Sequence, residues 1–460
     1  MSRSCNTLLA THLSPFSSAG VVFFLYGIAV SAAIQLFVLP YVLPGIHAGH
    51  GLLAGGDYPV LHEIAVRMAS RIQQEGWSAW ELLPSGQAAA GLASAAYALT
   101  YPEPWVLIPL NAALHAMAGL IVMRLVQILS GNSTIAFWGG ALYICFPSSL
   151  QWVSQIQKDS TYIAGMLAVL LGLVTLIHAA SRKTKRSELV MAVGLVLLGL
   201  SFTGIARLYG FELITVVSSM IAILITPSLF KRWQVNEISN GRLAVVIVTL
   251  VVTLFVGRLL PRDVRINAEL PDADPSTLAR AHLIVQEWHP TNFVPEIVAR
   301  TFLRIGVARY GWSGPTYASA GSMIDTDVIF RNERQVIEYL PRALQIGFLA
   351  PFPEHWLAQG SSPGGTMMRR VTGIEMIVLY PLFLVGLPLA AWRWRRRLEF
   401  WMIVFFCVPI VIAYTLTIPN LGTLHRLRYG FLMPLAAVGL AAIWLSLKDW
   451  QSRNSHSSPA

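Results

Sequence analysis

The sequence predicts an all-α fold: a polytopic transmembrane helical bundle of about ten spans, with outer-face juxtamembrane helices and a small helical outer cap. Three observations predict it. Of the 460 residues, 55% are hydrophobic and only 12% are charged, and the mean hydropathy is +0.58. Several apolar runs approach or exceed the ~20 residues that a helix needs to cross a bilayer. The basic residues fall in alternate connections between those runs, the pattern that sets membrane orientation.

The elements follow in chain order. A polar lead, Met1 to Ser18, precedes a first run too long for a signal-peptide core and without a small-residue cleavage site, so it reads as an uncleaved span. Spans are predicted at 20–44, 105–128, 134–151, 160–180, 188–206, 209–230, 243–260, 372–392, 399–417 and 429–447. The stretch 87–101 is short and rich in Ala and Ser, and Pro102 and Pro104 follow it. It reads as a surface or re-entrant helix. Cys5 lies in the polar lead, and Cys145 and Cys407 lie inside apolar runs, which reads as core filling and not as a disulfide framework.

Leaving 87–101 out of the membrane places both termini inside. The inner segments then hold 15 cations, among them Arg182, Lys183, Lys185, Arg186, Arg395, Arg396 and Arg397, against four acids. The remaining 18 cations and 19 acids fall outside. The whole basic excess is topological, so the net charge of +10 does not argue for a nucleic-acid partner.

Three units follow: an N-terminal transmembrane module, 1–260, with the outer loop 45–104; an outer cap, 261–371; and C-terminal spans with a cytoplasmic tail, 372–460. Amphipathic patterns in the cap run from Thr277 to Trp288, Pro295 to Gly306 and Arg331 to Gln345. Only the tail from Gln451 to Ala460 looks disordered.

The polar clusters that resist a bland explanation all fall outside. In the first, Gly55, Gly56 and Pro59 bracket Asp57 on a tight turn, with His62 and Glu63 opening the amphipathic stretch that follows. The second is Lys158-Asp159 between two spans. Asp159 could simply cap the helix after it, or it could face Asp57 as a second carboxylate while Lys158 supplies a point charge for a phosphate. The third is His425, Arg426 and Arg428 at the mouth of the last span. Outer arginines could snorkel to lipid phosphates; recognition of a phosphate or pyrophosphate headgroup is the sharper reading, because a guanidinium grips phosphate in a bidentate fork. The fourth is an aromatic and proline-rich belt ending in Glu354 and His355, which could line a cleft. No phosphate-binding glycine loop, zinc-protease helix, nucleophile elbow or Cys-x-x-Cys pair is present.

On these residues the chain resembles the GT-C glycosyltransferases. In that class an acid lies in the first outer loop beside juxtamembrane helices, and a second acid often lies in the next outer loop. Asp57 and Asp159 occupy those places, although many members carry Asp-Glu where this chain has Asp57-Tyr58. The segments 339–356 and 420–429 are similar to those of bacterial envelope-polysaccharide membrane proteins. The resemblance implies a bacterial inner (plasma) membrane enzyme whose active site faces the periplasm or exterior. It would transfer a sugar from a polyprenyl-phosphate carrier to a glycan, lipid or protein acceptor. Asp57 and Asp159 would be catalytic, with the option of holding a divalent metal, Mg or Mn. Lys158, Arg426 and Arg428 would bind the donor phosphate. The alternatives are a lipid-linked polysaccharide polymerase or ligase centred on Arg426 and Arg428, a lipid-linked glycan flippase, and a structural envelope subunit.

Overall fold

The structure, a computed structural model, describes residues 15–180, 186–235, 237–259, 283–291, 294–312, 321–360 and 363–456. It is an all-α polytopic bundle. Among the described residues nine helices are long and apolar enough to cross a membrane, and no strand forms beyond isolated bridges such as Met323 with Asn420.

Helix α1 (Pro15–Ala33) continues through a π-helical stretch, Ile34–Val42. The loop after it then builds two helices, α2 (Tyr58–Glu75) and α3 (Ala88–Leu99). At 1.5 Å per residue α3 is about 18 Å long, well short of a ~30 Å hydrocarbon core. Small residues let it lie flat on α2. Ala89, Ala90 and Ala93 pack with Tyr58, Leu61 and Ala65 in a core of their own, and a side chain at Gly91 would collide with the Leu82 carbonyl.

Helix α4 (Ile108–Ser130) returns through the bundle and α5 (Ser133–Cys145) follows, its N-terminus capped by the Asn132 side chain. The predicted span 134–151 needs correction here. Pro147 forces Phe146 into extended geometry, and α6 (Pro147–Val153) starts afresh. Helix α5 alone covers only about 20 Å. A break at such depth is tolerated where protein surrounds it, and Ser148 and Ser149 in the break are both buried.

Helix α7 (Asp159–Ala180) is the central one, with 94% of its apolar window buried. It packs closely on α8 (Arg186–Ala206): Gly165, Gly172 and Gly199 let the two backbones meet, since a Cβ on Gly199 would sit 2.5 Å from the Gly165 carbonyl oxygen. Helices α9 (Gly210–Gln234) and α10 (Asn240–Leu259) complete the first module.

The first half of the pattern predicted from Thr277 to Trp288 lies outside the described residues, as do Cys5, most of the N-terminal lead and most of the basic run at 182–186. The second cap pattern forms α11 (Glu296–Gly311). The third divides at Tyr339 into α12 (Glu333–Glu338) and α13 (Leu340–Leu349), with Pro341 in the first turn of the latter. Buried Arg309 knits the cap to the bundle. It lies over the rings of Tyr339 (4.9 Å) and Phe330 (5.3 Å), donates to the carbonyls of Asp325 and Val328 within the cap, and reaches the Thr415 and Leu416 carbonyls of the bundle (both 3.4 Å).

Helix α14 (Pro363–Pro381) runs through a π turn, Leu382–Gly386, into α15 (Leu387–Trp394); α16 (Leu398–Thr417) and α17 (Leu421–His456) follow. The last helix corrects two expectations. The predicted 418–428 loop shrinks to a turn that Asn420 caps, its side chain accepting from the Thr423 amide at 3.1 Å. The tail residues Gln451–His456 continue the helix.

Candidate functional site: a charged cluster at the helix mouths

Local chemistry brings the loop after α1 and the loop before α7 together. The Gln155 side chain accepts from the Leu53 amide (2.9 Å) and donates to the Gly51 carbonyl (3.2 Å). Asn111 of α4 donates to the carbonyls of Val153 and Gln155. Gly51 permits this approach: its φ is +71° and a Cβ there would lie 2.6 Å from the Gln35 carbonyl oxygen. The turn carrying Asp57 is thus fastened to the loop carrying Lys158.

Asp159 opens α7 and is 1% exposed. Arg207 Nη2 donates to its Oδ1 at 2.5 Å, and Arg426 Nε lies 3.0 Å from its Oδ2. Gln157 completes the group. With its amide nitrogen donating to Asp159 Oδ2 (2.6 Å), its oxygen accepts from Arg426 Nη1 (2.9 Å) and from the Tyr58 hydroxyl (3.2 Å). Arg207 also lies over the rings of Tyr162 and Tyr209, at 5.8 and 5.7 Å.

Lys158 is half-buried and donates to Gln87 Oε1 at 3.3 Å. Burial pushes its ammonium down to about 8, with Arg207 and Arg426 adding to the fall and the negative charges of Asp159 and Asp57 resisting it. Burial likewise pushes the Tyr58 hydroxyl up to about 12, opposed by Arg426 and reinforced by Asp159 and Asp57. Asp57 therefore shares the field of this cluster. It is exposed at the start of α2, and its side chain caps nothing. Its backbone carbonyl accepts from Leu61, and no partner for its carboxylate is found among the described residues.

Six expected contributors stand elsewhere. Arg428 is 1% exposed and turns away from Asp159. Its guanidinium donates to the carbonyls of Ile346 (2.5 Å), Gly347 (2.8 Å) and Ala350, so it braces α13 and cannot take a donor phosphate in this arrangement. The reason is helical. On α17, residues 425 and 428 are three apart and share a face, whereas residue 426 projects about 100° round from residue 425. His425 accordingly joins Arg428's side, with Nε2 2.9 Å from Ser148 Oγ and 3.1 Å from Glu375 Oε2. His62 stacks near His50 (4.9 Å) and meets the Tyr97 hydroxyl at 3.0 Å; burial lowers its pKa. Glu63 is solvated beside Arg67 at 3.7 Å. Glu354 and His355 are exposed and 3.9 Å apart.

The metal option for Asp57 and Asp159 does not fit this donor set. Both Asp159 oxygens face guanidinium groups, and no group of three or more potential ligands converges among the described residues.

Sequence reasoning missed Arg207, Tyr58, Gln157 and Glu375. The signal for Arg207 was an arginine in the short outer turn between two apolar runs. For Glu375 it was a lone acid inside a predicted span, which deserves a functional question by default. Glu375 is 2% exposed and accepts from the Ser148 amide and hydroxyl, both at 2.5 Å.

Fold and cluster together define a polytopic helical membrane protein with a bipolar charged site at one end of its central helix. No known protein-family pattern and no curated protein matches the chain. Among solved structures it is similar to the archaeal oligosaccharyltransferase AglB from Archaeoglobus fulgidus, in complex with an inhibitory peptide and a dolichol-phosphate. The identity is 12% and the TM-score 0.49, over 96% of this chain and 52% of that one. The chain spans about half the length of that protein, and a likeness so distant carries no statement about the site.

Proposed function

We propose that the chain is an integral membrane glycosyltransferase that takes a sugar from a polyprenyl-phosphate carrier on the outer face of the membrane. The observation that carries the reading is the pairing of one free, exposed carboxylate, Asp57, with a cluster of three cations, Lys158, Arg207 and Arg426, at a helix mouth.

Each group has a task. Asp57 accepts the proton of the acceptor hydroxyl as that oxygen forms its bond to the anomeric carbon. The bond from the anomeric carbon to the carrier's phosphate oxygen breaks, and its electron pair leaves with the phosphate. Lys158 and the outward edges of the two guanidinium groups stabilise the charge that develops there. Asp159 holds Arg207 and Arg426 side by side and offsets part of their charge, so it positions the cations. A donor on a lipid carrier needs no nucleotide fold, consistent with the missing glycine loop.

The test is reconstitution in liposomes with a polyprenyl-phosphate-linked sugar and a hydroxyl acceptor. Carrier phosphate should be released as glycoside forms. A photoreactive polyprenyl phosphate should label the helix mouths near Lys158 and Arg426, and labelling should weaken in Arg426→Gln. Labelling that is indifferent to Arg426 would refute the site.

A further inference from the structure

Two adjoining cavities of 380 and 530 Å³ lie at the end of the bundle opposite Asp159. They share His178 and Arg397. His178 is in the last turn of α7, whose first residue is Asp159. The length of that helix therefore separates the two sites by roughly 30 Å.

Among the described residues the cavities are lined by four arginines, Arg124, Arg232, Arg396 and Arg397, against one acid, Glu399. Glu399 is matched internally, at 2.9 Å from His178 Nδ1 and 3.2 Å from Arg397 Nη2. Arg397 also donates to the Ile128 and Leu129 carbonyls, covering the negative end of α4 that would otherwise repel an anion. Arg124 binds Gln127. No hydrogen bond or ion pair is found for the side chains of Arg232 and Arg396 among the described residues. The orientation rule accounts for basic residues at this end. It does not account for their lining a concave space whose acid among the described residues, Glu399, is already paired.

We propose that this double cavity binds the phosphate of an anionic phospholipid headgroup. The surroundings select a lipid over a free anion. Phe230, Trp233 and Trp392, near Arg232 and Arg396 in sequence, are all exposed, as aromatic side chains at headgroup depth are. Basic pockets between helices at such a surface take acidic headgroups.

The experiment uses the full chain in phosphatidylcholine nanodiscs. Phosphatidylglycerol is titrated in, and bound lipid is counted by native mass spectrometry. The double variant R232Q/R396Q should bind phosphatidylglycerol about 30-fold more weakly, because each arginine near the surface contributes roughly a fivefold effect. R232K/R396K keeps the charge and should lose less. Unchanged affinity in R232Q/R396Q overturns the proposal. Displacement of phosphatidylglycerol by equimolar inorganic phosphate overturns the lipid assignment and leaves a soluble anion as the ligand. Should R232Q/R396Q fail to fold, the wild type decides: equal retention of phosphatidylcholine and phosphatidylglycerol overturns it.

Discussion

Arg426 Nε lies 3.0 Å from Asp159 Oδ2, and Arg207 Nη2 lies 2.5 Å from Asp159 Oδ1. One buried carboxylate thus ties the start of the central helix to the start of the last helix and to the turn after α8. Asp159→Asn should leave two guanidinium groups unmatched in a poorly hydrated place. The expected cost is about 3 kcal/mol or more, read as a lower melting temperature in neutral detergent. The second change in D159N/R207Q should recover part of it, as coupled neighbours do. A purely catalytic or metal-binding Asp159 predicts otherwise: transfer lost and melting unchanged.

Asp57 should behave in the opposite way. It is exposed and no partner binds its carboxylate among the described residues, so Asp57→Asn should leave melting within about 0.5 kcal/mol of the wild type. Loss of a general base should lower transfer by about 10²–10⁴-fold. Near-normal transfer by this variant would exclude the role.

Lys158 gives the site a pH dependence. Its ammonium is held down to about 8, so donor affinity should fall as pH rises through that value and the charge is lost. Folding responds with the other sign. Between about 8 and the ordinary lysine value of about 10.4, the unfolded chain keeps a proton that the folded chain has released. Raising pH through that window therefore favours the folded state. Lys158→Arg stays charged and should flatten the decline in donor affinity. A decline that persists in Lys158→Arg would assign the titration to another group.

Arg426 and Arg428 should separate under mutation although they are two residues apart. Arg428→Gln removes a brace on three carbonyls and should lower the melting temperature. Transfer per folded molecule should change little. Arg426→Lys keeps its charge but loses the planar fork, and should raise the donor KM severalfold while lowering melting less than Asp159→Asn does. A shared phosphate role predicts that both variants raise the donor KM.

Membrane placement of α3 can be checked with single cysteines at Ser85 and Glu103. Both should react with an impermeant thiol reagent added from the same side as one that labels Asp57→Cys. Labelling of the two positions from opposite sides would mean that α3 crosses.

Composition and the apolar runs were enough to read the class and most of the spans. Long uncharged runs can be satisfied in lipid only as helices; the short run at 87–101 was ambiguous by itself, and the charge balance of the connections favoured a surface position. The sequence also marked Asp57, Lys158, Asp159 and Arg426 as out of place for a bland membrane protein, because each interrupts an apolar pattern outside the basic segments. Tertiary structure alone decided what those residues face. Asp159 was legible as an acid at a helix start, but its partners come from the turn after α8 and from α17, and no local period encodes a contact between residues so far apart. Arg426 and Arg428 look equivalent in sequence. Only once Asn420 caps α17 and the predicted loop winds into helix does the 100° turn per residue send one arginine to the carboxylate and the other into the carbonyls of α13. The break at Phe146 had a sequence signal in Pro147, although 134–151 read as one span. Its satisfaction by Glu375 had none, since a buried acid finds its donors through packing across the bundle.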